Sequence, residues 1–250
     1  MHIDVTDLSK FYASPMGSVV RQILKRRIRE RWPNVKNETI IGLGYATPYL
    51  SSFQKEARRV GALMPAQQGV ITWPKNGPYL SCLMENRQLP LIDESVDRVL
   101  AIHSLELSEA SPRFLREIWR VLRPEGRVMF IVPNRRSLWS RLDTTPFGHG
   151  RPYSSGQMER LLGGAMFQPC ELTTALHILP FKLPIILRSA GAWERFGTNV
   201  TPGFGGVIMI EAIKQVAAPI TGHPIKVLVH APVATPASSA RSIKIIQPSH

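Results

Sequence analysis

The sequence has few cysteines and no long apolar run. Cys82 and Cys170 are the only two cysteines among 250 residues, too few for a disulfide scaffold or a zinc site, and no metal is expected. Both stand in apolar stretches, which predicts buried thiols in a reducing compartment. No apolar stretch reaches the roughly 18 residues of a membrane-spanning helix, and the first residues lack the pattern of a secretory signal. We expect a cytoplasmic protein, with peripheral contact at the inner face of a membrane as the alternative.

Acidic residues are also scarce. Asp and Glu number 18 against 31 Lys and Arg, which gives a formal net charge of +13. Such an excess favours an anionic partner, whether a membrane surface, an acidic protein or a nucleic acid. A hydrophobic fraction of 44% with 20% charged residues excludes a wholly disordered chain and a polytopic membrane protein. The length favours one full-sized domain with appendages.

Residues 1–37 are predicted to be an N-terminal segment with a basic amphipathic cap helix. Ser14 followed by Pro15 is typical of a helix start, and apolar residues then recur at helical spacing until Trp32-Pro33. A solvated charged face is the simpler interpretation of its basic residues, and binding of the anionic partner is the other. The basic residues are Arg21, Lys25, Arg26, Arg29 and Arg31, and we assign the contact to Arg21, Lys25 and Arg29.

Short apolar strands alternate with helical patterns over residues 38–216, which indicates an α/β fold with a Rossmann-like, mostly parallel sheet and helices on both faces. A late antiparallel strand is expected at Gly206 to Ile213. The other predicted strands are 39–41, Val60 to Met64, Tyr79 to Met84, Val96 to Ile102, Arg127 to Val132 and Leu172 to Leu179, and the predicted helices are 48–58, Pro112 to Leu122 and Ser155 to Leu162.

The composition changes at residue 217. Residues 217–250 are rich in Pro, Ala, Ser and Thr and carry Lys226, Arg241 and Lys244 without any acid. Little apolar periodicity is present, so we predict a flexible basic tail.

A turn of small residues follows the first strand. Its sequence, Gly42-Leu43-Gly44-Tyr45-Ala46, allows the backbone to approach a ligand closely, because a Cβ at either glycine would occupy the ligand's space. The same pattern is also typical of an ordinary tight turn between a strand and a helix.

Four more sequence blocks follow this turn in order, and with it they resemble the class I S-adenosylmethionine-dependent methyltransferases, in the branch that includes enzymes of quinone biosynthesis. The resemblance covers roughly residues 38 to 135. It implies S-adenosylmethionine as the cofactor and methyl transfer to oxygen, nitrogen or carbon of an unidentified small or hydrophobic, lipid-like acceptor. The blocks are Glu85 to Asp97, Ala101 to Glu106, Leu115 to Gly126 and Val132 to Asn134.

The resemblance also assigns roles to individual residues. Gly42, Gly44 and Ala46 would lie against the methionine and ribose. Glu85 would accept a hydrogen bond from the adenine amino group, and the backbone N–H of Asn86 would meet the ring. His103, at the end of the fourth strand, would lie beside the transferred methyl, in agreement with ligand binding at the carboxyl ends of parallel strands.

Two positions depart from the family pattern. Ile40 stands where a carboxylate usually precedes the first glycine, and Met64 stands where another carboxylate usually holds the ribose. Each lost charge-assisted bond costs about 1.5–3 kcal/mol, unless Gln67 or Gln68 substitutes. The missing acid argues against NAD as well. A catalytically silent domain that binds a protein or a nucleic acid is therefore the alternative function.

The acceptor site is expected beside the loop Thr145 to Ser154, which follows the fifth strand. Together with Phe11-Tyr12 this loop would enclose a hydrophobic or aromatic acceptor. If the acceptor must lose a proton, His103 or His149 would be the base. A plain connector, with Ser154 capping the next helix, is the other interpretation of the loop.

Overall fold

The computed structural model describes residues 3–181, 187, 189–201 and 203–216. Its strands form one seven-stranded sheet in the order β3-β2-β1-β4-β5-β7-β6. Strands β1 to β5 are parallel, and β7 lies between β5 and β6 and is antiparallel to both. The strands are β1 Thr39–Gly44, β2 Arg59–Pro65, β3 Ser81–Met84, β4 Val96–Ile102, β5 Leu122–Pro133, β6 Phe167–Ala175 and β7 Val207–Lys214. The predicted Rossmann-like sheet with a late antiparallel strand is confirmed.

This strand order defines the edge of the sheet where ligands are expected. Strands β1 to β6 all end at the same edge, and β7 begins there because it runs the other way. We call it the carboxyl edge. The loops after β1, β2, β3, β4 and β5, and the segment between β6 and β7, all lie at this edge.

Helices cover both faces of the sheet, as predicted. Leu8 and Leu24 belong to the apolar core on one face, and Ile118 and Leu162 to the core on the other. The helices are α1 Val5–Ala13, α2 Pro15–Arg31, α3 Thr47–Leu50, α4 Ser111–Val121, α5 Ser155–Gly164 and α6 Ala190–Val200. None of the helices in the described ranges is long and apolar enough to cross a membrane.

The cap helix begins and ends as the sequence predicts. The Ser14 hydroxyl accepts a hydrogen bond from the Gly17 N–H at 3.1 Å, and α2 ends at Arg31. The predicted helix over 48–58 is wrong beyond Leu50, where turns follow. Ser51 and Ser52 bond their hydroxyls to the carbonyls of Pro48 and Tyr49, a local alternative to helical hydrogen bonding. Helices α1 and α6 were not predicted.

The prediction of two buried thiols is also wrong. Cys82 is exposed because it lies on β3, the last strand at its side of the sheet, and Cys170 is half-buried on β6. Partial burial still raises the pKa of the Cys170 thiol to about 11 and that of Cys82 above its ordinary value. The predicted tail, 217–250, lies outside the described residues.

Candidate active site

The glycine turn joins the ends of β1 and β4. Gly44 has a φ of +76°, and a Cβ added there would overlap the carbonyl oxygen of Ile102. The next residue, Tyr45, donates its N–H to that carbonyl at 3.0 Å. A Cβ at Gly42 would lie 2.6 Å from the Cβ of Ala46. Both glycines are thus required by the packing of the chain itself, which is a different reason from the close ligand approach expected from sequence.

A cavity of about 310 Å³ opens at the carboxyl ends of β2 and β3. Glu85 and Asn86 form part of its wall, so the two residues assigned to adenine by resemblance lie together at one cavity. The buried Asn86 Oδ1 and Ser108 Oγ have no hydrogen-bond partner within the described residues. The full lining is Pro65, Ala66, Gln67, Met84, Glu85, Asn86, Arg87, Ser108, Glu109 and Ala110.

The residues expected near the ribose lie in different surroundings. Met64 is fully buried in the apolar core and does not line this cavity, as Ile40 is buried in the same core. Gln68 makes structural hydrogen bonds. Its side-chain Nε2 donates to the His103 carbonyl at 3.2 Å, and its backbone carbonyl accepts from the Val5 N–H at 2.7 Å. Gln67 lines the cavity with an exposed side chain. Of the two glutamines only Gln67 lines this cavity, although the buried Gln68 Oε1 has no hydrogen-bond partner within the described residues.

His103 lies at the centre of a buried hydrogen-bonded chain. The Tyr49 hydroxyl donates to the Tyr12 hydroxyl at 3.1 Å, and the Tyr12 oxygen lies 2.9 Å from His103 Nε2. Because Tyr12 accepts from Tyr49, its own proton is free to point to Nε2, which places the ring proton of His103 on Nδ1. Nδ1 lies 3.6 Å from Glu106 Oε1. Tyr49 and Glu106 were not given this role from sequence.

Burial keeps the two tyrosines of this chain protonated. Loss of solvent, reinforced by the neighbouring Tyr49, raises the pKa of Tyr12 well above its ordinary value, and loss of solvent also raises the pKa of Tyr49. At neutral pH both phenols are hydrogen-bond donors.

Aromatic rings from three parts of the chain surround His103. The Tyr12 ring stacks on Tyr45 with centroids 5.4 Å apart, and the Phe147 ring lies 4.8 Å from the His103 ring. Phe11 meets Phe147 edge-on at 6.3 Å. Phe11 and Tyr12 therefore lie beside the loop after β5, and that the two enclose an acceptor stays a prediction.

The rest of that loop makes structural contacts. Arg151 donates its N–H to the Glu106 carbonyl at 2.8 Å, which holds the loop over the end of β4. Ser154 and Gln157 form a capping box for α5, so the capping interpretation of Ser154 is also confirmed. His149 is half-buried, and its Nε2 lies 3.0 Å from the Asp143 carbonyl of the same loop.

Unpartnered buried polar atoms concentrate at the carboxyl edge. Within the described residues eight buried side-chain atoms have no hydrogen-bond partner, and all but the two arginine nitrogens lie there. Buried polar groups are normally paired, so such a concentration indicates a site that a polar ligand completes. The six atoms are Gln68 Oε1, Asn86 Oδ1, Ser104 Oγ, Glu106 Oε1, Ser108 Oγ and Thr145 Oγ1.

The basic face of α2 is only partly free. Arg21 and Lys25 are exposed, whereas the Arg29 guanidinium binds the Glu56 carboxylate at 2.7 Å. Arg31 is mostly buried and binds Glu171, also at 2.7 Å. The last turn of α2 therefore uses its charges to fasten the helix to the sheet and to the segment after α3.

An open α/β sheet with this strand order, a glycine turn after β1 and a polar cavity at its carboxyl edge defines a Rossmann-like class of domain. Residues 36–130 match the family described as a methyltransferase domain. The match covers the part of the chain in which the sequence blocks resemble the S-adenosylmethionine-dependent methyltransferases.

Curated relatives agree with the family. Proteins from two strains of Mycobacterium tuberculosis, each named "Probable S-adenosylmethionine-dependent methyltransferase", are 31% identical over 139 residues, which is 54% of this chain and 49% of theirs. The chain thus spans about half the length of the curated relatives it matches.

Solved structures agree on the fold. An S-adenosylmethionine-dependent methyltransferase from Thermotoga maritima superposes with a TM-score of 0.60 at 16% identity, over 84% of this chain and 96% of that one. The geranyl diphosphate C-methyltransferase of Streptomyces coelicolor, solved with Mg²⁺, geranyl diphosphate and S-adenosyl-L-homocysteine, superposes with a TM-score of 0.52 at 13% identity, over 77% of each chain. At these identities the likeness concerns the fold.

Proposed function

We propose that this chain is an enzyme that transfers a methyl group from S-adenosylmethionine to a small or hydrophobic acceptor. The observation that carries the proposal is the cavity at Glu85 and Asn86, whose unpartnered polar atoms lie in a domain of the methyltransferase family. Residues 38–216 would form the catalytic domain and residues 1–37 its cap. The family match does not favour the silent-domain alternative.

The cavity fits the adenosine end of the cofactor by the chemistry of its lining. The Glu85 carboxylate accepts hydrogen bonds, as an adenine amino group requires, and Asn86 Oδ1 is a second buried acceptor. The Ser108 hydroxyl can donate or accept. Gln67 supplies an amide to the ribose in place of the usual carboxylate. The turn Gly42, Gly44 and Ala46 leads from β1 toward the methionine end.

When bound, S-adenosylmethionine supplies an electrophilic methyl group on a sulfonium. The residues around His103 would position the acceptor: Phe147 and Phe11 offer aromatic surface, which also attracts a sulfonium cation. If the acceptor must lose a proton as it displaces S-adenosylhomocysteine from the methyl carbon, His103 Nε2 would take that proton once the Tyr12 hydroxyl is released. Glu106, facing Nδ1, then stabilises the imidazolium. His149, in the loop after β5, stays a second candidate base.

The first experiment measures cofactor affinity by titration calorimetry with S-adenosylmethionine and S-adenosylhomocysteine. We expect micromolar to high-micromolar binding by the wild type and a loss of about tenfold or more in Glu85→Gln, because the bond to the adenine amino group loses its charge. Glu159→Gln, on α5 and away from the cavity, is the matched control. No binding at millimolar ligand to a folded wild type would overturn the proposal.

The second part of the proposal concerns contact with an anionic partner and location. Arg21 and Lys25 are exposed on α2 and have no ion-pair partner among the described residues, so they support the predicted contact. Arg29 supports it less, since Glu56 neutralises it. The corresponding location of the enzyme is the cytoplasm. Replacing Arg21 and Lys25 by Gln should weaken binding to anionic vesicles or to nucleic acid in a salt-dependent way.

A further inference from the structure

Helix α6 has an unusual distribution of polar and apolar side chains. Its buried Glu194 carboxylate accepts the backbone N–H groups of Leu176 and His177, at 3.2 and 2.8 Å, and lies 3.6 Å from Arg27 of α2. Gly197 is buried as well, and a Cβ added there would overlap the His177 side chain. The helix is therefore attached to the protein through a carboxylate and a glycine.

The large apolar side chains of α6 are exposed, whereas Ala190 at its start is buried in the core. Trp193, Phe196 and Val200 follow each other at spacings of three and four residues, so they share one side of the helix. Phe196 is 60% exposed and Val200 57%. A helix packed on a globular domain normally shows the reverse pattern. We call these three residues the α6 stripe.

The α6 stripe lies at the carboxyl edge, the same edge as the candidate active site. The segment that contains α6 begins where β6 ends and finishes where β7 begins. It is joined to the loop after β5 by bonds from Asn134 to the carbonyls of Gly203 and Gly205, and from Trp139 to that of Ile178. Further large apolar side chains are exposed on these two segments: Leu138, Leu179, Phe181 and Phe204.

Uncompensated positive charge accompanies this apolar surface. Arg195 on α6, and Arg136 and Arg141 on the loop after β5, are exposed and have no ion-pair partner within the described part of the chain. The one carboxylate of α6, Glu194, is turned inward. Exposed aromatic and aliphatic side chains among arginines are the composition of an interfacial, lipid-contacting surface, where aromatic rings enter the headgroup region and cations meet anionic headgroups.

We propose that the carboxyl edge docks on an anionic lipid bilayer through the α6 stripe and the arginines 136, 141 and 195. The bilayer is preferred to a protein partner because the exposed apolar residues are large and are accompanied by three arginines without an ion-pair partner, against one exposed carboxylate, that of Asp143, on the described parts of these two segments. Helix α6, at 11 residues, is too short to span a membrane, so it would lie in the interface. This inference does not depend on the methyl-transfer proposal, since its test needs no activity.

The test is co-sedimentation of the full chain with vesicles of phosphatidylcholine alone and of phosphatidylcholine with phosphatidylserine in equal parts. We expect binding to the mixed vesicles only, and protection of Trp193 from acrylamide quenching when they are present. Trp193→Phe should bind as the wild type does while losing that fluorescence signal, which assigns it to α6.

Two matched pairs of variants separate the apolar and the charged contributions. Phe196→Ser with Val200→Ser should weaken vesicle binding by about tenfold or more, because two large apolar side chains no longer leave water. Arg136→Gln with Arg141→Gln should weaken it at low salt. Lys36→Gln with Arg59→Gln, an equal loss of charge at the opposite edge of the sheet, should have little effect, and thermal melting checks that all variants fold.

Three results would overturn the proposal. The first is absence of binding by the wild type to either vesicle, and the second is equal binding by the wild type and the variant pair Phe196→Ser with Val200→Ser. The third comes from sedimentation equilibrium: a dimer that forms without lipid and is lost in that same pair would identify a second copy of this chain as the occupant of the α6 stripe.

Discussion

Tyr12 connects the N-terminal helix to the candidate base through one hydroxyl group. We predict that Tyr12→Phe keeps the ring stacked on Tyr45 but destabilises the protein by about 1–3 kcal/mol, because Tyr49 and His103 each lose a buried hydrogen-bond partner. Urea unfolding measures the loss. Tyr79→Phe is the control, since Tyr79 is 75% exposed. Equal effects of the two changes would show that the buried chain contributes nothing.

A comparison of alanine variants at Gly44 and Gly77 distinguishes the cost of backbone strain from the cost of steric overlap. Gly44 and Gly77 both have positive φ, but a Cβ at Gly77 meets no atom within 4 Å, whereas one at Gly44 overlaps the Ile102 carbonyl. We predict that Gly77→Ala costs about 1–3 kcal/mol through strain alone and that Gly44→Ala costs clearly more. Thermal melting of both variants, followed by cofactor calorimetry, tests the order. A Gly44→Ala protein as stable as Gly77→Ala would contradict the described junction of β1 and β4.

The position of some candidate site residues in the fold could be predicted from the sequence, and that of others could not, for physical reasons. Glu85 and Asn86 directly follow a short strand. Their place at the carboxyl edge therefore depends only on where that strand ends and not on where it begins. The contribution of Tyr49 and Gln68 depends on how α1 lies over the turn, which local patterns do not encode. Apart from the four-residue spacing of Tyr45 and Tyr49, nothing in the sequence indicates that Tyr49 and Gln68 are buried.

Several contacts hold helix α6: the Glu194 carboxylate, the buried Gly197 and the Thr198 hydroxyl, which accepts a hydrogen bond from Arg27. We predict that Glu194→Ala releases it, because Arg27 and the N–H groups of Leu176 and His177 lose their acceptor. Hydrogen exchange over residues 190–200 should accelerate, while exchange in β4 stays unchanged. Asn199→Ala, at an exposed position of the same helix, is the control. Unchanged exchange in Glu194→Ala would mean that other contacts hold α6.

Regular elements were predicted best where their pattern is conventional. Most strands are apolar runs bounded by turn residues, and α4 has a clear apolar stripe, so these were found. The strand predicted at Leu172 to Leu179 is misplaced, because β6 is Phe167–Ala175. Helix α1 had a usable signal that was missed: Asp4 caps it, and its buried residues Val5, Leu8 and Tyr12 are spaced by three and four. Helix α6 was missed for the opposite reason, since its apolar residues face outward and do not indicate a core.

The protein as a whole should lose stability at high pH. Burial raises the pKa values of Tyr12, Tyr45 and Tyr49 above 10.0, and that of Cys170 from 9.0 to about 11. A raised pKa in the folded state means that the unfolded chain loses these protons first, so their stabilisation is complete below about pH 9 and is lost as the pH rises through the raised values.

We therefore predict a constant free energy of unfolding from neutral pH to about pH 9 and a decline above it. Tyr49→Phe should lower the plateau but flatten the decline, because one desolvated phenol no longer titrates. Denaturant unfolding between pH 7 and 11 measures both effects, with Tyr79→Phe as the reference. A decline of the same slope in Tyr49→Phe would assign the alkaline transition to other groups.

The position of β7 also affects how the chain is made. β7 comes last among the described strands and lies between β5 and β6. During synthesis, β5 and β6 therefore have unpaired hydrogen-bonding edges until Lys214 has left the ribosome. The sheet in this half can close only after nearly all of the described chain has emerged. A nascent chain that stalls, or a fragment that ends, before Val207 carries both open edges together, and we expect such products to aggregate or to engage chaperones.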